Sequence, residues 1–223
     1  MLLFLLAAVP LSTASYQGGI KPPAECEKPI QLREDLLDSF VGELNRRRRL
    51  MVDGEQRNGP PGSGNLPKGQ NVLEMEWSCV LEQQAIDLLN NTCPEEEKQP
   101  KAPNGKTGFY TLQDYNNQTQ PVGLWLSEID KRSITLHPDP DAFVSYQEQN
   151  RNYCNLVRYD ASRIGCAESV CGNKKSTFCL TNMPPLNKTD MVAVFQTAAN
   201  YDDNNHGVID CMLSWPPLYV CLR

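Results

Sequence analysis

Histidine is nearly absent from this chain: its 223 residues hold two, His137 and His206. So few imidazoles leave little room for histidine general bases or for zinc sites built on ring nitrogens. No two of the nine cysteines stand in C-x-x-C spacing, which removes the commonest thiolate zinc arrangement as well. After the amino terminus no apolar run is long enough to cross a bilayer, so no stable membrane anchor is expected. Positive charge also falls short, with 21 Lys and Arg against 27 Asp and Glu, a net charge of -6 and a pI near 5.0. That balance argues against a nucleic-acid partner. Neither RGD nor KGD occurs, and Ser63, although it lies between glycines, lacks the strand-turn-helix setting of a G-x-S-x-G nucleophile.

What the chain does have begins with MLLFLLAAVPLSTAS, an apolar core of secretory length followed by Ser12 and Ala14 in a small-x-small arrangement. Residues 1–14 read as a signal peptide, residues 15–29 as an amino-terminal segment, and the product as secreted and extracellular. In an oxidising compartment Cys26, Cys79, Cys93, Cys154, Cys166, Cys171, Cys179, Cys211 and Cys221 form a disulfide framework. Nine is odd, so one thiol is free or pairs with another chain. The sequons at Asn90, Asn117 and Asn187 are candidate glycosylation sites.

Leu32, Leu36, Leu37, Phe40, Val41 and Leu44 recur at three- and four-residue spacing and predict an amphipathic helix over 30–52, stopped at Gly54. Arg46 to Arg49 then fall in its last turns, facing water. Residues 53–71, with five glycines and three prolines, read as a flexible surface loop. A second helix is expected over 72–89, with Trp77, Leu81, Ala85 and Leu88 on its apolar face. Residues 94–123 read mostly as loop, 124–131 as a short helix. Asn155–Tyr159, Ile164–Cys171 and Thr177–Asn182 read as a three-stranded antiparallel meander. Helices ahead of a meander give an α+β class with the sheet covered by helices. Cys166 and Cys171, five apart on one strand, face opposite sides, so one can reach the helix layer holding Cys79. Residues 191–223 read as a cysteine-bearing extended tail.

The run S-R-I-G-C-A-E-S-V-C (162–171), followed by Phe178-Cys179 and Pro184-Pro185-Leu186-Asn187, resembles the carboxy-terminal motifs of the CAP superfamily. Leu44-Asn45-Arg46-Arg47-Arg48 followed by Gly54 is similar to that family's H-N-x-x-R helix, with Leu44 in place of histidine. Met75–Cys79 looks like the start of the second helix of nematode secreted activation-associated members. The resemblance spans about residues 30–190 and implies a CAP domain folded as a three-layer α-β-α sandwich. Many members hold a divalent cation in a cleft of two histidines and two glutamates. Here the H-[FY]-T-Q-[ML]-V-W motif is matched by residues 152–158, with Asn152 for the histidine, Cys154 for the threonine and Arg158 for the tryptophan. Glu128, three residues after Trp125, fits the W-x-x-E glutamate, and the G-E-N glutamate has no counterpart.

The implied cleft is therefore degenerate, with Glu128 and Asn152 as hydrogen-bonded polar positions and no catalytic residue, metal or cofactor expected. The resemblance to divergent hookworm members that antagonise leukocyte or platelet integrins implies a non-enzymatic effector of immunity or haemostasis. Its expected partner is a host or other extracellular protein or a cell-surface receptor, an integrin among the candidates, met through loops 53–71 and 94–123. The alternative is a lipid or sterol carrier using an aromatic loop at Phe109, Tyr110 and Tyr115.

Overall fold

The structure, a computed structural model, describes residue 26, residues 28–89, 99–136 and 143–187, and the backbone of 193–197. In chain order the elements are α1 (Glu34–Val52), β1 (Gly69–Gln70), β2 (Glu76–Trp77), α2 (Cys79–Leu89), β3 (Thr107–Asp114), α3 (Pro121–Leu126) and α4 (Glu128–Lys131). They continue with β4 (Phe143–Ser145), a 3₁₀ turn at Glu148–Asn150, α5 (Arg151–Val157), β5 (Arg163–Cys171), β6 (Lys174–Thr181) and β7 (Ala193–Thr197).

Strand alternation builds the layers. On β5, Ile164 and Cys166 face one side and Ala167 the other; on β6, Cys179 shares the first side while Phe178 and Leu180 share the second. Leu81, Ala85 and Leu89 of α2 cover the second side. The first side meets Phe40 and Leu44 of α1, Trp125 and Leu126 of α3, and Leu156 and Val157 of α5. The result is the three-layer α-β-α sandwich that the resemblance implies. Its sheet runs β2-β5-β6-β3, with β2 parallel to β5 and the other pairs antiparallel. A second sheet, β1-β7-β4, is antiparallel throughout.

Gly165 shows why the Ile-Gly-Cys triplet matters. It lies on the α2 side, and a Cβ there would come within 2.2 Å of the Glu82 amide nitrogen. Only glycine lets the helix backbone settle this close to the sheet.

Four expectations need correction. Residues 155–159 are not a strand: α5 occupies Arg151–Val157, with Tyr153, Leu156 and Val157 buried at helical spacing. A short apolar run does not separate the two periods, and packing against α1 and α3 selects the helix. The third strand of the meander is instead β3, eight residues inside the stretch read as loop, paired with β6 along its whole length. The second helix starts at Cys79 rather than 72, because the Ser78 Oγ accepts the Leu81 amide at 3.3 Å and fixes the helix start. Trp77 thus belongs to β2, and Leu89, not the half-exposed Leu88, faces the core.

The fourth correction concerns the four arginines. Arg46 and Arg49 face solvent, but Arg48 is 3 % exposed. It donates to the carbonyls of Leu156, Arg158 and Ala161 at 2.7–3.1 Å and also to that of Leu73. Burial pulls its guanidinium down to about 9, so it stays charged at neutral pH.

Cys26 bonds to Cys79, and Cys166 bonds to Cys179 directly across the β5–β6 hairpin. Cys166 therefore does not reach toward the helix bearing Cys79. Cys171 is also disulfide-bonded, Cys154 is free and buried, and Cys93, Cys211 and Cys221 lie outside the described residues. Among the described residues no helix is long and apolar enough to cross a membrane.

Candidate functional site: the Glu128–Asn152 cleft

Pro121 opens α3, whose fixed φ suits a first helical position, and the short helix delivers Trp125 to the core and Glu128 to the rim. Trp125 stacks on Phe109 of β3 with ring centroids 5.6 Å apart, which seats the α3–α4 segment against the sheet.

The structure brings Glu128 and Asn152 together. One Glu128 oxygen, Oε2, accepts the backbone amides of Asn152 and Tyr153 at 2.8 and 3.0 Å; the other, Oε1, accepts Asn152 Nδ2 at 2.7 Å. These amides belong to the first turn of α5, where no carbonyl of the helix itself is available, so Glu128 caps that helix from outside it. Burial raises the Glu128 carboxyl above its ordinary value, against the pull of the amides of Tyr153 and Asn152 and of nearby Arg151. Arg151 completes the group by donating Nη1 to Asn152 Oδ1 at 2.8 Å and Nη2 to the Gly108 carbonyl at 3.2 Å.

A divalent cation is what the family cleft would hold, and the residues here do not fit one. All three hydrogen bonds to Glu128 come from N–H groups, Asn152 Oδ1 already serves a guanidinium, and that positive charge sits beside the site. No three of His, Cys, Asp and Glu converge anywhere among the described residues. Cys154, two residues along α5, offers no nucleophile: burial pushes its thiol up to about 12, so it stays protonated.

The other sequence-derived candidates lie elsewhere. Asn117 is exposed in the turn after β3, where its Oδ1 accepts the Thr119 amide at 2.8 Å. Asn187 is exposed at the edge of the described residues, while Asn90, His137 and His206 lie outside them. The aromatic loop considered for lipid is no loop at Phe109 and Tyr110: both stand in β3, and Phe109 is fully buried. Tyr115 alone is exposed.

Two important residues escaped the sequence reading. Arg151 gives no signal beyond its place next to Asn152. Glu82 gives one: an acid at an inward position of α2, three and seven residues before Ala85 and Leu89. It is fully buried and accepts the amides of Ile30, Gln31 and Leu32 and the Trp77 indole N–H at 2.7–3.0 Å.

Residues 41–183 match the profile of the cysteine-rich secretory protein family, CAP. Ancylostoma secreted protein of Ancylostoma caninum is 25 % identical over 153 residues, which are 62 % of this chain and 31 % of that protein. The chain thus spans about a third of the length of that relative. Among solved structures, BmVAL-1 superposes with a TM-score of 0.60 at 18 % identity, over 78 % of this chain and 87 % of that one. Na-ASP-1 gives 0.59 at 19 %, over 78 % and 42 %; NaASP2 with Zn2+ gives 0.59 at 16 %, over 76 % and 89 %. With the profile covering most of the chain and the sandwich matching these structures, the chain belongs to the CAP family of cysteine-rich secretory proteins.

Proposed function

We propose that this chain is a secreted, non-enzymatic CAP-domain effector that binds a host or other extracellular protein, with a leukocyte or platelet integrin as the first receptor to test. The observation that carries the reading is the use of Glu128 as a helix cap. With both carboxylate oxygens accepting N–H groups and a protonated thiol nearby, the cleft has neither a free base nor a nucleophile. Recognition then falls to surface loops.

The loop after α1 is suited to that task because it is tied down rather than flexible. Asn58 exchanges two hydrogen bonds with Ile134 at 2.7 and 2.8 Å, the Leu66 amide donates to Gln56, and Leu66 is buried. Its tip, Pro60 to Gly62, stands in solvent. A preset loop loses little conformational freedom on binding.

The test is binding of the oxidised protein to leukocytes and platelets, with competition by integrin-blocking antibodies and with residues 59–64 replaced by a Gly-Ser linker. Saturable binding that the antibodies compete and the replacement weakens is the expected result. Binding to neither cell type, or binding indifferent to both treatments, would reject this reading.

A further inference from the structure

The cleft rim continues into a groove of about 490 Å³, within the size range of small-molecule sites. The chain from Gln99 to Lys106 walls it on one side, and Gly108, Arg151 and Pro185 on the other. Its charged lining is Lys101, Lys106 and Arg151, and none of the described lining residues is Asp or Glu. Neither lysine pairs with a carboxylate among the described residues. Three cations lining one groove, with no Asp or Glu among its described lining residues, stand out in a protein of net charge -6.

The groove is also preset. Arg151 is held by Asn152 Oδ1 and the Gly108 carbonyl, which occupy two of its five N–H groups. Gln99 Nε2 reaches the same Gly108 carbonyl at 3.0 Å. The Lys106 amide donates to Pro103 at 3.2 Å, and Gly105, at φ +76°, makes the turn that brings Lys106 back toward the wall. Pro100, just before Lys101, and Pro103, between the two lysines, stiffen this backbone.

We propose that this groove binds an anion, the sulfate or phosphate ester of a small molecule whose carbon skeleton lies against Pro100, Pro103 and Pro185. Glu128 is taken up by the amides of α5, and Arg151, which lines the groove, keeps N–H groups beyond the two held by Asn152 and Gly108. Planar guanidinium and flexible ammonium groups together suit a tetrahedral oxyanion. Glu95, Glu96 and Glu97 precede Gln99 and lie outside the described residues, so direct binding measures their charge together with that of the lysines. The site does not depend on the protein-partner reading.

The experiment is titration calorimetry of the intact oxidised protein in phosphate-free, low-salt buffer. The probes are phenyl phosphate, phenyl sulfate, benzyl alcohol and zinc chloride. One-site binding of either ester is expected, weakened about tenfold in Lys101→Gln/Lys106→Gln, on lysines outside the helices and strands, and lost in Arg151→Gln. Circular dichroism verifies that each variant is folded. The preferred ester assigns sulfated or phosphorylated ligands, and equal affinities support the oxyanion itself. Equal binding of benzyl alcohol, ester binding unmoved by the lysine substitutions, no saturable ester binding, or zinc binding that Glu128→Gln abolishes would each overturn the proposal.

Discussion

Glu128 accepts three N–H hydrogen bonds, and still its carboxyl sits above its ordinary value because burial outweighs them. The sign of the consequence is unusual for a carboxylate. With the folded value raised above 4.5, the folded state holds the proton more tightly than the unfolded chain. The contribution of this group to stability is full below about 4.5 and is lost as pH rises through the folded value. Glu43, by contrast, is held below its ordinary value chiefly by its hydrogen bond to Arg46, so the whole protein mixes both signs. Glu128→Gln isolates one of them. The stability gap between the native protein and this variant should narrow as pH rises from about 4.5, on top of a pH-independent loss of about 2 kcal/mol from the mispaired amide. A carbon-detected titration of the Glu128 carboxyl should show a midpoint above 4.5; a midpoint at or below it would sink the argument. Of this site, the resemblance to the family motifs implied Glu128 and Asn152 as polar positions of one cleft, while the hydrogen bonds between them come from the structure. The role of Arg151 was not legible, since it depends on where α5 brings it relative to Gly108.

At the level of elements, α1 was readable because nineteen residues give several turns of periodicity, whereas α5 has seven and β3 eight. Short segments take their state from neighbours: β3 is an edge strand with a polar run about it, and only its pairing with β6 reveals it. The arginine run makes the same point. Composition places all four side chains in water, yet the helix turns Arg48 inward, where it staples α1 to the carboxy-terminal end of α5 and the turn into β5. Arg48→Ala strands these carbonyls in the interior and should cost about 3 kcal/mol or more, with Arg48→Lys losing about 2 because an ammonium cannot span the set. Arg49→Ala, at an exposed neighbour, should stay within about 0.5 kcal/mol. Equal losses for Arg48→Ala and Arg49→Ala in urea denaturation would refute the staple.

Across the whole molecule, the segment before α1 reaches the first turn of α2, and two devices hold it there. One is the disulfide between Cys79 and Cys26, 53 residues away. Sequence could not supply that pairing, nor show that Glu82 grips the amides of Ile30, Gln31 and Leu32, because both depend on the path of the chain over the folded body. A bridge closing a loop of that length restricts the unfolded chain by about 4 kcal/mol in the chain-entropy account, against about 3 for the 13-residue loop of Cys166–Cys179. Glu82 acts on the folded side instead, and its replacement by glutamine puts an NH2 group among four N–H donors. Cys26→Ala/Cys79→Ala should therefore lower stability by about 3–4 kcal/mol while Glu82 keeps the three amides protected from hydrogen exchange. Glu82→Gln, with the bridge intact, should lose about 3 kcal/mol and expose those same amides to exchange. If the cysteine variant loses less than about 1 kcal/mol, the covalent tie is not what secures the segment; if Glu82→Gln leaves the amides protected, the carboxylate is not its clasp.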